Sequence, residues 1–212
     1  MSVVAIIPAL NEEKTIKRII EMIKVVPLVD RIIVVSDGSK DNTANIARRC
    51  GVEVIDLKEN IGKGGAMSIG VKSCQEEIIL FLDADLIGLT RKHIEDLLKP
   101  VVEDNYAMSL GVFVHGKVGT DLAHMVAPFL SGQRVITRQL FNKVNDIEIS
   151  RYGVEMALTR YIEKNNIAIK KIKLNGLTHL TKEEKLGFFT GVTMRFKMYK
   201  EIIAVFFLNI LK

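Results

Sequence analysis

Hydrophobic positions in the first ninety residues follow two alternating patterns. Residues 3–8 form a continuous apolar run, which is typical of a buried parallel strand. Ile16, Ile19, Ile20 and Ile23 then recur at spacings of three and four, which predicts one apolar face of a helix that Asn11 can cap. Short loops separate the runs, so the pattern predicts a doubly wound, mostly parallel sheet flanked by helices, an α/β fold. The further predicted strands are 31–36, 52–57 and 78–82. The further helices are one that begins at Asp41 or Thr43 and ends near Gly51, and one over 62–74.

The pattern changes after residue 85. Thr90 is a suitable N-cap for a helix to about Glu103. Beyond it we predict strands over 107–114 and 167–174, helices over Gln133–Lys143 and Tyr152–Asn165, and a polar loop over 176–187. A final apolar helix is expected in residues 188–212, where Phe196, Tyr199, Ile203, Phe206 and Ile210 form a stripe. Its far side is apolar too, so we expect it to pack on its own domain, in a homodimer, or peripherally on a membrane.

Length, charge and cysteine usage limit the class of protein. A chain of 212 residues with 48% hydrophobic and 26% charged residues fits one globular domain with a small extension. The net charge of +5 suits an anionic substrate or an acidic membrane surface, whereas no basic run interleaved with aromatics indicates nucleic-acid binding. Cys50 and Cys74 are expected to be unpaired packing residues. With no signal peptide or spanning segment recognised, we expect a cytoplasmic location.

Small and charged residues follow four of the apolar runs. The segments are VAIIPALNEE from Val4, VSDGSKDNT from Val35, NIGKGGAM from Asn60 and FLDAD from Phe81. They fall where the carboxyl ends of parallel strands bind ligands. Asp83 and Asp85 offer oxygen ligands for Mg²⁺ or Mn²⁺, and such a cation would neutralise a departing diphosphate. Gly62 and Lys63 open a helix, and a helix N-terminus favours anions.

Together the four segments resemble the nucleotide-sugar-binding half of family 2 glycosyltransferases with the A-type fold. The resemblance implies that Pro8, Ala9, Leu10 and Glu12 line the nucleobase and ribose of a nucleotide diphosphate sugar, and that Asp37 reads the base. It also implies a single A-type domain over residues 1–187, with the nucleotide-sugar half in 1–90, an acceptor half in 91–187 and the C-terminal helix beyond.

The acceptor half resembles the glucosyl-3-phosphoglycerate synthases of that family. The segment Ser131-Gly132-Gln133-Arg134, with Thr137 and Arg138 a turn later, resembles their acceptor-binding segment. An Arg at a helix N-terminus would suit a phosphate or carboxylate. The segment from Tyr152 to Leu158 implies that Glu155 lies near the acceptor hydroxyl. His179 falls where those synthases have a metal-ligand histidine. The chain is much shorter than the synthases, which carry long terminal extensions.

These observations predict a metal-dependent glycosyltransferase that moves a hexose from a UDP- or GDP-sugar to a small or lipid-linked anionic acceptor. Asp85 and Glu155 are the predicted catalytic residues. Glu155 would act as a general base in an inverting reaction and would position the acceptor in a retaining one. The alternatives are a polyprenyl-phosphate mannosyl- or glucosyltransferase, a sugar-phosphate nucleotidyltransferase, and a non-catalytic nucleotide-binding module.

Overall fold

The computed structural model describes residues 1–114, 131–144 and 153–180. Met1–Thr178 forms one compact unit, and His179–Lys212 belongs to a second unit. The predicted C-terminal helix lies outside the described residues. In the part of the chain that the structure describes, no helix has both the length and the apolar character needed to cross a membrane.

Strands and helices alternate in the first half of the chain, as the apolar pattern predicts. The strands are β1 (Val3–Ala9), β2 (Arg31–Asp37), β3 (Glu53–Leu57), β4 (Ile78–Phe81), β5 (Leu86–Ile87), β6 (Met108–Val114), β7 (Arg134–Thr137), β8 (Lys170–Asn175) and β9 (Thr178–His179). The helices are α1 (Ile16–Lys24), α2 (Thr43–Arg49), α3 (Lys63–Lys72), α4 (Arg91–Val102), α5 (Arg138–Lys143) and α6 (Gly153–Lys164).

Seven of the strands form one sheet in the order β3-β2-β1-β4-β7-β6-β8. All neighbouring pairs are parallel except those of β7, which runs antiparallel to both β4 and β6. The chain proceeds outward from β1 to β3 and then returns to place β4 on the other side of β1. This reversal creates a switch point between β1 and β4, where open α/β sheets bind ligands. The mostly parallel sheet confirms the predicted fold class.

Two apolar clusters cover the faces of this sheet. One contains the four isoleucines of α1 predicted to face the core, together with Leu97 and Leu98 of α4. The other contains Met67 and Val71 of α3 and Leu158 of α6. Gly70 lets α3 approach closely, because a Cβ atom there would lie 2.6 Å from Cγ2 of Ile6. Helix α3 is therefore held tightly against β1, with its N-terminus at the carboxyl edge of the sheet.

Two local predictions are wrong. The helix predicted over Gln133–Lys143 begins only at Arg138, because residues 134–137 pair as β7 between two strands. Asn11 does not cap α1, which begins at Ile16 after Thr15. Asn11 instead takes a left-handed conformation, with φ of 55°, in the loop after β1. The N-cap role predicted for Thr90 is confirmed, since its side chain accepts a hydrogen bond from the backbone of His93.

Candidate active site

The loops that follow β1 and β2 are joined by hydrogen bonds between them. The backbone N–H of Glu12 donates to Oγ1 of Thr43 at 2.7 Å, and that of Lys40 donates to Oδ1 of Asn11 at 2.7 Å. The backbone N–H of Glu13 donates to Oδ2 of Asp41 at 3.1 Å. Asn11, Glu12 and Glu13, which the sequence places at the start of α1, thus join the two loops instead. They hold together the part of the carboxyl edge of the sheet where the family resemblance predicts the nucleobase and ribose.

Asp37 fixes the start of α3. Its carboxylate is buried and accepts hydrogen bonds from the backbone N–H groups of Ile61, at 2.7 Å, and Gly62, at 3.0 Å. Gly62 precedes α3 with φ of 86°, a conformation that favours glycine. Asp37 therefore shapes the loop that delivers Lys63, a role that the sequence did not reveal. Its contact with a base stays a prediction.

Lys63 joins the two halves of the site. Its ammonium nitrogen lies 2.7 Å from Oδ1 of Asp83 and 3.0 Å from Oε1 of Glu155. Burial lowers the pKa of this ammonium, but the charges and hydrogen bonds of the two carboxylates outweigh burial, and the pKa is raised. The structure thus brings together a lysine from the glycine-rich segment, the first aspartate of FLDAD and the acid predicted for the acceptor half.

Two residues beside Asp83 complete its surroundings. The side-chain amide of Gln133 donates to Oδ2 of Asp83 at 2.9 Å, and its oxygen accepts the backbone N–H of Asp83 at 2.9 Å. A Cβ atom on Gly132 would lie 2.5 Å from both carboxylate oxygens and from the Lys63 nitrogen. Only glycine leaves room for this ion pair. The sequence places Gln133 at the start of a predicted helix, within the segment that resembles an acceptor-binding segment, and gives it no role of its own.

Arg134 is present at the site but not at a helix N-terminus. It lies opposite Phe81 and Leu110 in the sheet, and its side chain is 1% exposed. The guanidinium donates to the backbone oxygen of Ser131. Burial lowers its pKa, while the charges of Glu155 and Asp83 oppose that shift. Its positive charge therefore acts on the same two acids that bind Lys63, and its contact with an acceptor stays a prediction.

Thr137 lies away from this group. It pairs with Ile78, the first residue of β4, whereas Asp83 lies two residues beyond the other end of that strand. Three residue steps along the strand separate Thr137 from Arg134 by roughly 10 Å, whereas a helical turn would place them on one side. Thr137 instead caps α5 by accepting a hydrogen bond from the backbone N–H of Leu140 at 3.3 Å. The structure therefore does not bring Thr137 to the predicted acceptor site.

Asp83, Asp85 and His179 form a group that suits a divalent cation. One ligand atom from each lies within 4.8 Å of the other two. His179 is placed by β9, which pairs with β5 immediately after Asp85. Two carboxylates and an imidazole are ligands that Mg²⁺ and Mn²⁺ accept in proteins. The carboxylate oxygens of Asp83 keep lone pairs beyond those used by Lys63 and Gln133, so the donor set fits such an ion.

Comparison of sequences gives the family and several relatives. The model of the family described as Glycosyl transferase family 2 matches residues 4–166. An uncharacterized protein of Methanocaldococcus jannaschii is 28% identical over 224 residues, which cover 93% of this chain and 91% of that protein. The 4,4'-diaponeurosporenoate glycosyltransferase of Staphylococcus haemolyticus is 29% identical over 135 residues, or 60% of this chain. The chain spans 36% of that enzyme's length.

Comparison of structures finds glucosyl-3-phosphoglycerate synthase from Mycobacterium tuberculosis. Its complex with Mn²⁺ and UDP-glucose has a TM-score of 0.73 at 25% identity, covering 84% of this chain and 71% of the synthase. Its complex with Mn²⁺, UDP-glucose and phosphoglyceric acid has a TM-score of 0.71 at 26% identity, with the same coverage. A further complex of the synthase contains Mg²⁺ and UDP, with a TM-score of 0.71 at 26% identity over 84% of this chain and 71% of the synthase.

Proposed function

The chain belongs to glycosyl transferase family 2 and is a glycosyltransferase, and we propose that it transfers a hexose from a UDP- or GDP-sugar to an anionic acceptor with the help of Mg²⁺ or Mn²⁺. The observation that carries the proposal is the group formed by Asp83, Asp85 and His179 beside the Lys63 ion pairs. Family membership favours a glycosyltransferase over a nucleotidyltransferase or a non-catalytic module.

The donor half of the proposal rests on the carboxyl edge of β1, β2 and β4. Pro8 and Ala9 end β1 there, and Leu10 and Glu12 follow it. Leu10 is 42% exposed, so its apolar face is available to a base or ribose. Asp85 and His179, with Asp83, would hold the cation, which stabilises the charge of the leaving diphosphate. The solved complexes of the mycobacterial synthase with Mn²⁺ or Mg²⁺ and uridine nucleotides support the same ligand class.

The acceptor half of the proposal rests on Glu155. Its side chain is buried, it lies in the first turn of α6, and its ion pair with Lys63 directs the carboxylate toward Asp83. In the transfer, the bond from the sugar's anomeric carbon to the diphosphate breaks and the electron pair leaves with the diphosphate. A bond from the acceptor oxygen to the same carbon forms, and the acceptor's proton passes to Glu155 in an inverting reaction or to the leaving phosphate oxygen in a retaining one.

The acceptor class has two candidates. The synthase complex with phosphoglyceric acid supports a small phosphorylated or carboxylated acceptor. The similarity to 4,4'-diaponeurosporenoate glycosyltransferases supports a larger acceptor, as in the lipid-linked alternative. The buried cationic side chain of Arg134 near Glu155 and Asp83 favours an acceptor that carries negative charge in either class.

Donor hydrolysis and binding test this proposal. A panel of UDP- and GDP-sugars is incubated with the chain in Mn²⁺, in Mg²⁺ and in EDTA, and release of nucleoside diphosphate is measured. We expect release from one nucleotide class, abolished by EDTA and by Asp85→Ala. Calorimetry should show diphosphate affinity that falls steeply under the same two conditions. Equal diphosphate affinity in wild type, in EDTA and in Asp85→Ala would show that binding does not require a metal. If neither UDP nor GDP binds, the proposed class of donor is wrong.

A further inference from the structure

Gln133 holds Asp83 through two hydrogen bonds from one buried side chain. Its amide nitrogen donates to Oδ2 of Asp83 at 2.9 Å, and its amide oxygen accepts the Asp83 backbone N–H at 2.9 Å. The second bond fixes which amide atom is which, because only the oxygen can accept a backbone N–H. The nitrogen must therefore face the carboxylate. Gln133 is 0% exposed, so water does not compete for either bond.

The backbone of Gln133 is fixed as firmly as its side chain. Its carbonyl oxygen accepts the backbone N–H of Gly111 at 2.8 Å, and its own N–H donates to Oγ of Ser131 at 3.3 Å. Phe81 pairs with Arg134, the residue after Gln133, so the sheet places Gln133 beside the end of β4. Gly111 offers no Cβ atom that would displace Gln133, since such an atom would lie 3.1 Å from the Gln133 Cβ. The amide is thus preorganised by its framework.

The two oxygens of Asp83 have different partners. Lys63 contacts Oδ1 at 2.7 Å with a full positive charge, and Gln133 contacts Oδ2 at 2.9 Å with a neutral donor. A donor at each oxygen fixes the plane of the carboxylate. Because Gln133 is neutral, it orients Asp83 without cancelling the negative charge that a cation or the lysine needs. A hydrocarbon side chain at position 133 would leave the same charge but would let the carboxylate rotate.

We propose that Gln133 is a positioning residue for donor binding. It fixes the orientation of the Asp83 carboxylate through its hydrogen bonds. The inference rests on the proposed function, because it assigns Asp83 to binding of the metal–diphosphate group. Partners that orient a ligating carboxylate from outside typically contribute roughly 10- to 100-fold to metal affinity or activity. Gln133 itself touches neither the metal group nor the sugar in this role.

Calorimetry of nucleoside diphosphate binding in Mn²⁺ tests the inference with two substitutions at the same position. Gln133→Met keeps the length of the side chain and removes both hydrogen bonds. Gln133→Asn keeps the amide but withdraws it by one methylene, about 1.5 Å, so that neither bond is made. Gln139→Met is the matched control, because Gln139 is exposed on α5 and undergoes the same chemical change.

We expect both Gln133 variants to raise the dissociation constant roughly 10- to 100-fold at unchanged stoichiometry, while Gln139→Met matches wild type. In turnover, the donor KM should rise while the acceptor KM stays unchanged. A merely structural role would lower the stoichiometry, as unfolded chains are lost, and leave the dissociation constant of the folded fraction unaltered. An unaltered dissociation constant in either Gln133 variant therefore overturns the inference, as does equal weakening in Gln139→Met. A wild type that binds neither UDP nor GDP overturns the proposed function together with the inference.

Discussion

The ammonium nitrogen of Lys63 lies 2.7 Å from Oδ1 of Asp83. The lysine begins α3 and the aspartate lies two residues beyond the end of β4, so this contact joins residues that are twenty positions apart in the sequence. The same nitrogen lies 3.0 Å from Glu155 of α6. One cation therefore compensates two acids that would otherwise repel each other in a confined site. The relationship makes Lys63 both a stabilising residue and a candidate ligand for the diphosphate.

Replacing Lys63 by methionine should destabilise the chain in the absence of ligands. Breaking a buried ion pair typically costs 3–5 kcal/mol, and exposed pairs contribute about 0–1 kcal/mol. The Lys63 side chain is 30% exposed and Glu155 is 7% exposed, so we expect a loss of about 1–3 kcal/mol. Urea denaturation measures this difference. Lys17→Met, on the exposed face of α1, is the control and should change stability by less than about 0.5 kcal/mol. A Lys63→Met chain as stable as that control would show that the ion pairs do not contribute.

The pH dependence of this contribution follows from the direction of the Lys63 pKa. Its pKa in the folded chain is raised above the unfolded value of about 10.4. A raised pKa contributes stability that is fully present below the unfolded value and is lost as pH rises through the folded value. The difference in unfolding free energy between wild type and Lys63→Met should therefore stay constant from about pH 7 to about pH 9. It should shrink only at strongly alkaline pH, and a decline below about pH 9 would contradict the raised pKa.

Local patterns predicted the framework of this site better than its contacts. The apolar runs and the helical spacing of α1 predicted the alternating elements, because burial of one face imposes those periods on the sequence. Gln133 could not be assigned in the same way. Its role depends on β7 lying beside β4, a pairing between residues about fifty positions apart, and no local pattern distinguishes a short buried strand from a helical start. The same pairing explains why Thr137 lies in a strand with Arg134 and not one helical turn after it.

The Asn11 prediction was wrong for a related reason. Asparagine before two glutamates is typical of a helix start, and the sequence offers no sign that the loop after β2 lies beside it. The structure shows that Asn11 accepts a hydrogen bond from Lys40, twenty-nine residues away. A polar residue near a ligand-binding edge can serve the neighbouring loop as readily as its own helix. Only the folded arrangement shows which partner it uses.

Substituting Gly132 by alanine should disturb the Asp83–Lys63 pair directly. The added Cβ would lie 2.5 Å from each Asp83 oxygen and from the lysine nitrogen, so at least one must move. A misplacement of about 1 Å at a reacting site costs on the order of a hundredfold in rate, and overpacking costs about 1–3 kcal/mol in stability. We therefore expect weaker diphosphate binding and roughly a hundredfold lower kcat/KM, measured by calorimetry and by turnover.

The control for Gly132→Ala is Gly51→Ala. Gly51 has φ of 69°, and a Cβ atom added there would meet no atom of the described residues within 4 Å. Alanine at this position therefore costs about 1–2 kcal/mol in backbone strain alone. It should lower stability without changing diphosphate affinity. Equal effects of the two substitutions on diphosphate affinity would show that general destabilisation, rather than the clash at Asp83, causes the loss.

Arg134→Ala should weaken acceptor binding more than donor binding. A hydrogen bond to a charged group contributes roughly 1.5–3 kcal/mol, which predicts a rise in acceptor KM of roughly tenfold to a hundredfold. Because Arg134 is 1% exposed, the truncation will also leave a cavity and lower stability.

Arg138→Ala is the control that separates lost stability from lost acceptor binding. Its guanidinium donates to the backbone oxygens of Glu76 and Val71, at the opposite end of β4, so its loss should lower stability without changing the acceptor KM. Steady-state kinetics with saturating donor gives the acceptor KM of each variant. An acceptor KM that is the same in Arg134→Ala and Arg138→Ala would assign Arg134 to packing alone.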